Sequence, residues 1–293
     1  MATIATDLAN GQIAMVDAAR FTMERVAVCT QIFKRLTLDP GEKSKYIPKF
    51  TSGGAAVDLT DGIDMTNETA LQISGSTFTT SEVGCKVIIT KKLRSQLKAD
   101  AYSAAGVVIG NMMGRKIDTD GVALFSGFGN SVGYASTVLT LGSIAAAVSQ
   151  LQGQSEPAPS PYVGVFHPYQ INAIIDQLVM SAATASPASQ NYPDSVQTPL
   201  LREHWRGRER LFGVNIYADG NIDATTTPTS TYGAIFSPMA LIYLVGWEPE
   251  NWVEEDKSLR GWEIGIVADY DMVENDDAYG RAILTNGTAP VGG

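Results

Sequence analysis

Residues 90–127, TKKLRSQLKADAYSAAGVVIGNMMGRKIDTDGVALFSG, decide the fold. Leu93, Leu97, Ala101, Ala104, Val108 and Met112 recur at steps of three and four, one stripe along a helix. Thr90 suits an N-cap, and Gly127-Phe128-Gly129 reads as a stop. Unbroken, this helix would run roughly 50 Å at about 1.5 Å per residue. A rod of that length needs an equally long surface to lie against. Gly106, Gly110 and Gly114 fall four apart on one face. In a bilayer such spacing favours helix pairing, but the apolar run from Ala101 to Met113 is too short to cross one. The expected use of the glycines is close approach by a neighbouring backbone.

Upstream, residues 14–36 read as an amphipathic helix with Ala14, Ala18, Phe21, Arg25, Val28, Ile32 and Leu36 near one face, broken by Asp39-Pro40-Gly41. Residues 1–12 are small and polar, an arm without a core of its own. Residues 51–82 hold seven threonines, four glycines and a single aromatic, Phe78. Strand signals there are the short alternations Leu71/Ile73 and Val83/Cys85/Val87/Ile89. So long an insert with so little apolar content has no core of its own. Its threonines favour extended strands, and a hairpin-like loop reaching a neighbouring subunit is expected.

Downstream, the pattern predicts a strand at Val132–Thr140 and a short helix at Ser143–Leu151 capped by Ser143. A strand at Tyr162–Phe166 then leads into a helix opened by Pro168, with Ile171, Ile174, Ile175 and Leu178 inside. Val214–Tyr217, Ala234–Phe236 and the apolar piece Met239–Val245 follow. The alternations around Trp252, Trp262/Ile264/Ile266 and Tyr279/Arg281/Ile283 close the chain as three strands joined by acidic turns. The class is α+β, without a regular βαβ repeat or an internal repeat.

The net charge of −10 is unevenly spread. Residues 1–117 carry 14 Lys and Arg against 11 Asp and Glu, whereas residues 118–293 carry 7 against 20. Glu248–Asp277 alone holds 11 acids and 2 bases, a surface expected to repel DNA and anionic membrane. The N-terminus lacks a basic segment followed by an apolar one, so no signal peptide is expected. Cys29 and Cys85 form no disulfide framework, suit a reducing compartment, and are expected to be buried and inert.

A search for chemistry finds little. His167 and His204 have no second ligand at zinc spacing. GFGNSVG (127–133) follows a helix rather than a strand and is not a dinucleotide fingerprint. No nucleophile elbow or P-loop is present. Asp271–Asp277 lacks the glycine and terminal glutamate of a calcium hand and reads as a solvated acidic turn. Arg202, Arg206, Arg208 and Arg210 cluster around Trp205, diluted by two glutamates. That pattern suits carboxylate pairing across a subunit interface better than nucleic-acid binding. No catalytic residue, cofactor site or metal site is assigned.

Five stretches taken in order carry a resemblance: KIDTDGVALFSG (116–127), YVGVFHPYQINAIIDQL (162–178), LFGVNIYADGNI (211–222), AIFSPMALIYLVGWEPE (234–250) and DYDMVENDDAYGRAIL (269–284). Together they resemble the major capsid proteins of tailed bacteriophages, with the Hong Kong 97-type fold. The resemblance implies an N-terminal arm and helix (1–48), an extended loop over a neighbouring subunit (49–89), a peripheral domain built on a long spine helix (90–139 plus 232–293) and an axial domain (140–231). It implies hexamers and pentamers closing an icosahedral head shell around double-stranded DNA, with Leu71, Ile73, Phe78 and the four arginines Arg202, Arg206, Arg208 and Arg210 at inter-subunit contacts. Synthesis in the bacterial host's cytoplasm, a separate scaffolding protein and a portal are implied as well, and no membrane. Some relatives cross-link through a lysine in the extended loop. Residues 50–85 contain none, so non-covalent closure, or a cement protein, is expected. An encapsulin shell with the same fold, or a soluble hydrolase or binding protein, would be the competing readings.

Overall fold

The computed structural model describes residues 27–51, 56, 58–62, 64, 72–96, 101–183, 210–224 and 229–290. Helix α1 is Cys29–Ile32, followed by strand β1, Lys34–Thr37. Strands β2 (Ser44–Thr51) and β3 (Gln72–Thr79) pair antiparallel as a hairpin, from Ser44 opposite Thr79 to Thr51 opposite Gln72. Strand β4 is Ser81–Thr90, helix α2 Lys91–Gln96, helix α3 Ala101–Ala123, continued by a 3₁₀ turn at Leu124–Gly127. Strand β5 is Ser131–Val132, helix α4 Leu141–Gln152, β6 Tyr162–Phe166 and helix α5 Pro168–Ala183. Strands β7 (Arg210–Leu211), β8 (Val214–Ala218), β9 (Thr231–Phe236), β10 (Leu241–Asp256), β11 (Gly261–Glu274) and β12 (Gly280–Thr285) complete the order.

These strands form a four-stranded sheet, β1-β10-β11-β4, and a six-stranded sheet, β5-β12-β9-β6-β8-β7, besides the β2-β3 hairpin. The long α3 lies across the four-stranded sheet. Leu93, Ala105 and Ile109 are buried with Ile89 and Ile264 there, and Met113 and Ile117 continue the stripe into the main core. That core is centred on Phe236, whose ring meets Phe33 edge-on at 5.7 Å and Phe125 at 5.7 Å. A second core, with Leu141, Ile144, Leu151, Phe166, Ile174, Val214 and Ile216, fills the space between α4, α5 and the six-stranded sheet. Glycine is required at 280, where an added Cβ would lie 2.0 Å from Phe128 Cε1.

Several expectations are corrected. Of the expected stripe Leu93 is buried, but Val108 is only half-buried and Met112 is 45% exposed; beyond Leu93 the packed face runs through Ala105, Ile109, Met113 and Ile117. A Cβ added at Gly106, Gly110 or Gly114 would meet nothing within 4 Å, so among the described residues these glycines have no close neighbour. The expected helix over 14–36 ends at Ile32. Leu36 lies in β1, drawn into parallel pairing by Leu244; residues 1–26 lie outside the described residues. Strand 132–140 shrinks to Ser131–Val132. Helix α4 starts two residues earlier than expected and is capped by Thr140, whose side chain accepts from Ser143 N. The alternation at 83–89 lies in β4, which pairs antiparallel with β11 in the four-stranded sheet. Cys29 is fully buried as expected, but Cys85 is only half-buried. Among the described residues no helix is long and apolar enough to cross a membrane.

Candidate functional site

With no catalytic constellation assigned, the functional geometry consists of exposed surfaces and the anchors that hold them. The β2-β3 hairpin is the most exposed element: Tyr46 retains 53% and Ile73 61% of its surface. Its base is tied down on the face of the four-stranded sheet that α3 does not cover. There Ile47 and Phe78 pack with Leu36 and Leu38 over buried Ile242, Leu244 and Val273. Lys49 Nζ reaches the carboxylate of buried Asp276 at 2.6 Å. The structure therefore separates two predicted contact residues: Ile73 faces outward, and Phe78 packs against its own chain. Arg210 is exposed, and its Nε donates to Asn215 Oδ1 across the β7-β8 turn at 3.0 Å. Leu71, Arg202, Arg206, Arg208 and His204 lie outside the described residues.

Strand β10 changes character along its length. Leu241–Val245 are buried between neighbours, and Glu248–Glu255 are exposed. Trp252 lies over Gly265, where a Cβ would come within 2.7 Å of the indole. Charges border this outer half: Arg35 pairs with Glu248, Lys91 with Glu255 at 2.6 Å and Lys86 with Glu263 at 3.1 Å. Exposed pairs of this kind contribute about 0–1 kcal/mol each. Charge on an edge strand also discourages unspecific strand addition.

Asp118, fully buried on α3, joins three parts of the chain. Oδ1 accepts from Val28 N at 2.8 Å and from Cys29 N at 2.9 Å; Oδ2 accepts from Asn221 Nδ2 at 2.7 Å. Asp219 Oδ1 in turn accepts from Asn221 N at 2.8 Å. The Cys29 sulfur and the Asp118 and Asp219 oxygens lie within 4.8 Å of one another, close enough for metal donors. Burial first, and then both carboxylates, push the Cys29 thiol up, so it stays protonated. Asp118 already receives three N–H donors, and the arrangement works as a hydrogen-bonded anchor between the start of α1, helix α3 and the β8–β9 connection. Sequence reasoning gave Asp118 no role. Its available signal was position: an acid adjacent to Ile117 in an otherwise apolar stripe.

The acidic turn is corrected from fully solvated to partly buried. Asp276 is 6% exposed and accepts from Ala278 N, and Asp277 accepts from Gly129 N at 2.6 Å. Glu274 beside them is pushed up to about 7, by burial first and then by Asp277 and Asp276. His167 is buried at the start of α5, where its Nδ1 accepts from Tyr169 N at 3.1 Å, a capping role.

No protein-family model and no curated protein matches the sequence. Solved structures do match. A structure from Mycobacterium phage Che8 superposes with a TM-score of 0.65 at 14% identity, covering 88% of this chain and 91% of its own. The capsid of Ralstonia phage GP4 gives 0.66 at 13% identity, with 89% of each chain covered. The cyanophage Pam1 capsid gives 0.62 at 14% identity, covering 87% of this chain and 89% of that one. The chain has the α+β fold of phage capsid subunits, as the resemblance implied.

Proposed function

We propose that this chain is the major capsid protein of a tailed bacteriophage, assembling as hexamers and pentamers into the icosahedral head shell around double-stranded DNA. The observation that carries this reading is the fold match along nearly the whole of both chains. It is supported by the hairpin that leaves its own chain with Tyr46 and Ile73 uncovered. On this reading the arm is residues 1–48, the extended loop is 49–89 with its β2-β3 hairpin overlying a neighbour while β4 stays in its own sheet, residues 90–139 with 232–293 form the peripheral domain, and 140–231 form the axial domain. Ile73, Leu71, Phe78, Arg202, Arg206, Arg208 and Arg210 remain the proposed contact residues. Phe78 would hold the hairpin base in position while Ile73 meets the neighbour. The open glycine face of α3, with Val107 beside it, is the proposed seat for that neighbour's loop. The proposed role is structural, in the virion, with a scaffolding protein, a portal and, there being no lysine from 50 to 85, a cement protein as further partners. Interlaced loops add weak contacts as effective concentration, and heterologous contacts that close make rings.

Light scattering and negative-stain microscopy of the purified chain, with and without a candidate scaffold, test this. Shells or five- and six-membered rings are expected. Ile73→Asp should leave the subunit folded and abolish or sharply reduce shells. A monomer or dimer under every assembly condition would refute the reading, and particles filled with a cargo protein instead of DNA would redirect it to an encapsulin.

A further inference from the structure

Strand β12 places an arginine among apolar neighbours. Ala282 and Ile283 are 1% and 0% exposed, and Arg281 itself only 5%. Its Nη1 donates to the Ala278 carbonyl at 3.2 Å and the Gly280 carbonyl at 2.6 Å. Its Nε has no hydrogen-bond partner among the described residues. Asp277 acts on the guanidinium electrostatically, and burial is the stronger influence, holding its pKa below the ordinary arginine range. A buried, charged N–H without an acceptor is costly, and native proteins seldom leave one unmet. The edge of the fork formed by Nε and Nη2 is the one not committed to backbone carbonyls.

Arg281 lines a groove of about 560 Å³ with Asn130, Ser131, Ser149, Gln150 and Gly153. Asn130 and Ser131 come from β5 and the residue before it, and the others from the last turn of α4 and the residue beyond it. The groove wall offers hydroxyl and amide groups and no carboxylate. The carboxyl end of α4 brings a partial negative charge to the same place, which favours the arginine and keeps the affinity for an anion modest. A planar fork of N–H donors flanked by neutral donors matches carboxylate or phosphate oxygens.

We infer that this groove is an oxyanion site, in which Arg281, flanked by Asn130 and Ser131, receives a carboxylate or phosphate group. Two sources share that chemistry: free phosphate, and an acidic side chain from a second copy of this chain. Equilibrium dialysis of the unassembled subunit against radiolabelled inorganic phosphate tests the site whether or not the chain forms shells. Saturable binding at one phosphate per subunit is expected, with Kd around 1 mM, about −4 kcal/mol, and with competition by acetate. Arg281→Gln should abolish it. Ser131→Asp leaves Arg281 in place and should also abolish it, because the tethered carboxylate fills the groove; that variant should melt higher than wild type. Absence of saturable binding up to about 50 mM, far above the expected Kd, would overturn the inference. Equal binding by wild type and Ser131→Asp would do the same. Repeating the dialysis on assembled particles separates the sources, since loss of the phosphate site identifies a neighbour's carboxylate and its retention identifies the free anion.

Discussion

Replacing Asp118 by alanine should detach the arm from the spine helix. Three donors lose their acceptor at once: Val28 N, Cys29 N and Asn221 Nδ2. The Cys29 and Asn221 bonds are buried, and a buried donor left unmet costs about 1–3 kcal/mol. The two together cost about 2–6 kcal/mol, a large part of a typical total of about 5–15 kcal/mol. Asp118→Asn keeps one oxygen for the two backbone donors, and the Asn221 amide can turn its carbonyl to the new NH₂. Its cost should be about 1 kcal/mol, that of one hydrogen bond. Urea unfolding of the unassembled subunit reads both values. A local readout accompanies it, because the Cys29 thiol is buried and held protonated. Alkylation of Cys29 should be slow in the wild type and much faster in Asp118→Ala. An alanine variant within about 0.5 kcal/mol of wild type, the range of an ordinary surface change, with unchanged alkylation would refute the anchor.

Glu274 gives a pH prediction whose sign follows from its upward displacement to about 7 from an ordinary 4.5. The folded protein binds this proton more tightly than the unfolded chain. The contribution is therefore fully present below the ordinary value and is lost as pH rises through 7. Glu274→Gln should flatten the loss and raise stability at pH 8 by on the order of 1 kcal/mol, after discounting for solvent screening; an unchanged slope of Tm between pH 5 and 8 would count against it. Gly280→Ala forces a methyl to 2.0 Å from Phe128 Cε1 in the main core, and overpacking of that kind costs about 1–3 kcal/mol or more. Thermal unfolding of this variant at wild-type Tm would show that the Phe128 ring has room to move.

Much of the architecture was legible because local pattern and global fold agree. Tyr162–Phe166 followed by Pro168 is a strand and a helix in both readings. The spine helix was legible as an element, but its buried face was not. Ala, Gly, Val, Ile and Met surround it, so two adjacent stripes are nearly equally apolar. The choice of Ile109/Met113 over Val108/Met112 is made by the partner, where Ile109 packs with Ile264 and its neighbours on β4 and β11. Leu36 was misread for a related reason. Its local periodicity is helical, and a parallel partner more than two hundred residues away overrides it. Asp118 and Arg281 escaped because their significance is burial, and a charged residue one step from an apolar stripe looks like the solvated side of the same element. For the hairpin, low apolar content signalled a segment without a core of its own, whereas the packing of Phe78 with Leu244 and Val273 depends on how the base folds back.

The pairing of β1 with β10 also sets when this chain can fold. Lys34 lies opposite Ile242 and Thr37 opposite Val245, and Thr80 bonds Asp269 across 189 positions. At about 5–20 residues per second, the ribosome needs roughly 10–40 s after making β1 before it delivers β1's partner. Throughout that interval Leu36 and Leu38 have no sheet to close on, while the second core, assembled mostly from residues 139–236, can already form. Strand β1 and the apolar residues beside it thus wait, unpaired, for residues made about two hundred positions later, and a nascent chain stalled before residue 241 presents Leu36 and Leu38 to whatever will cover them.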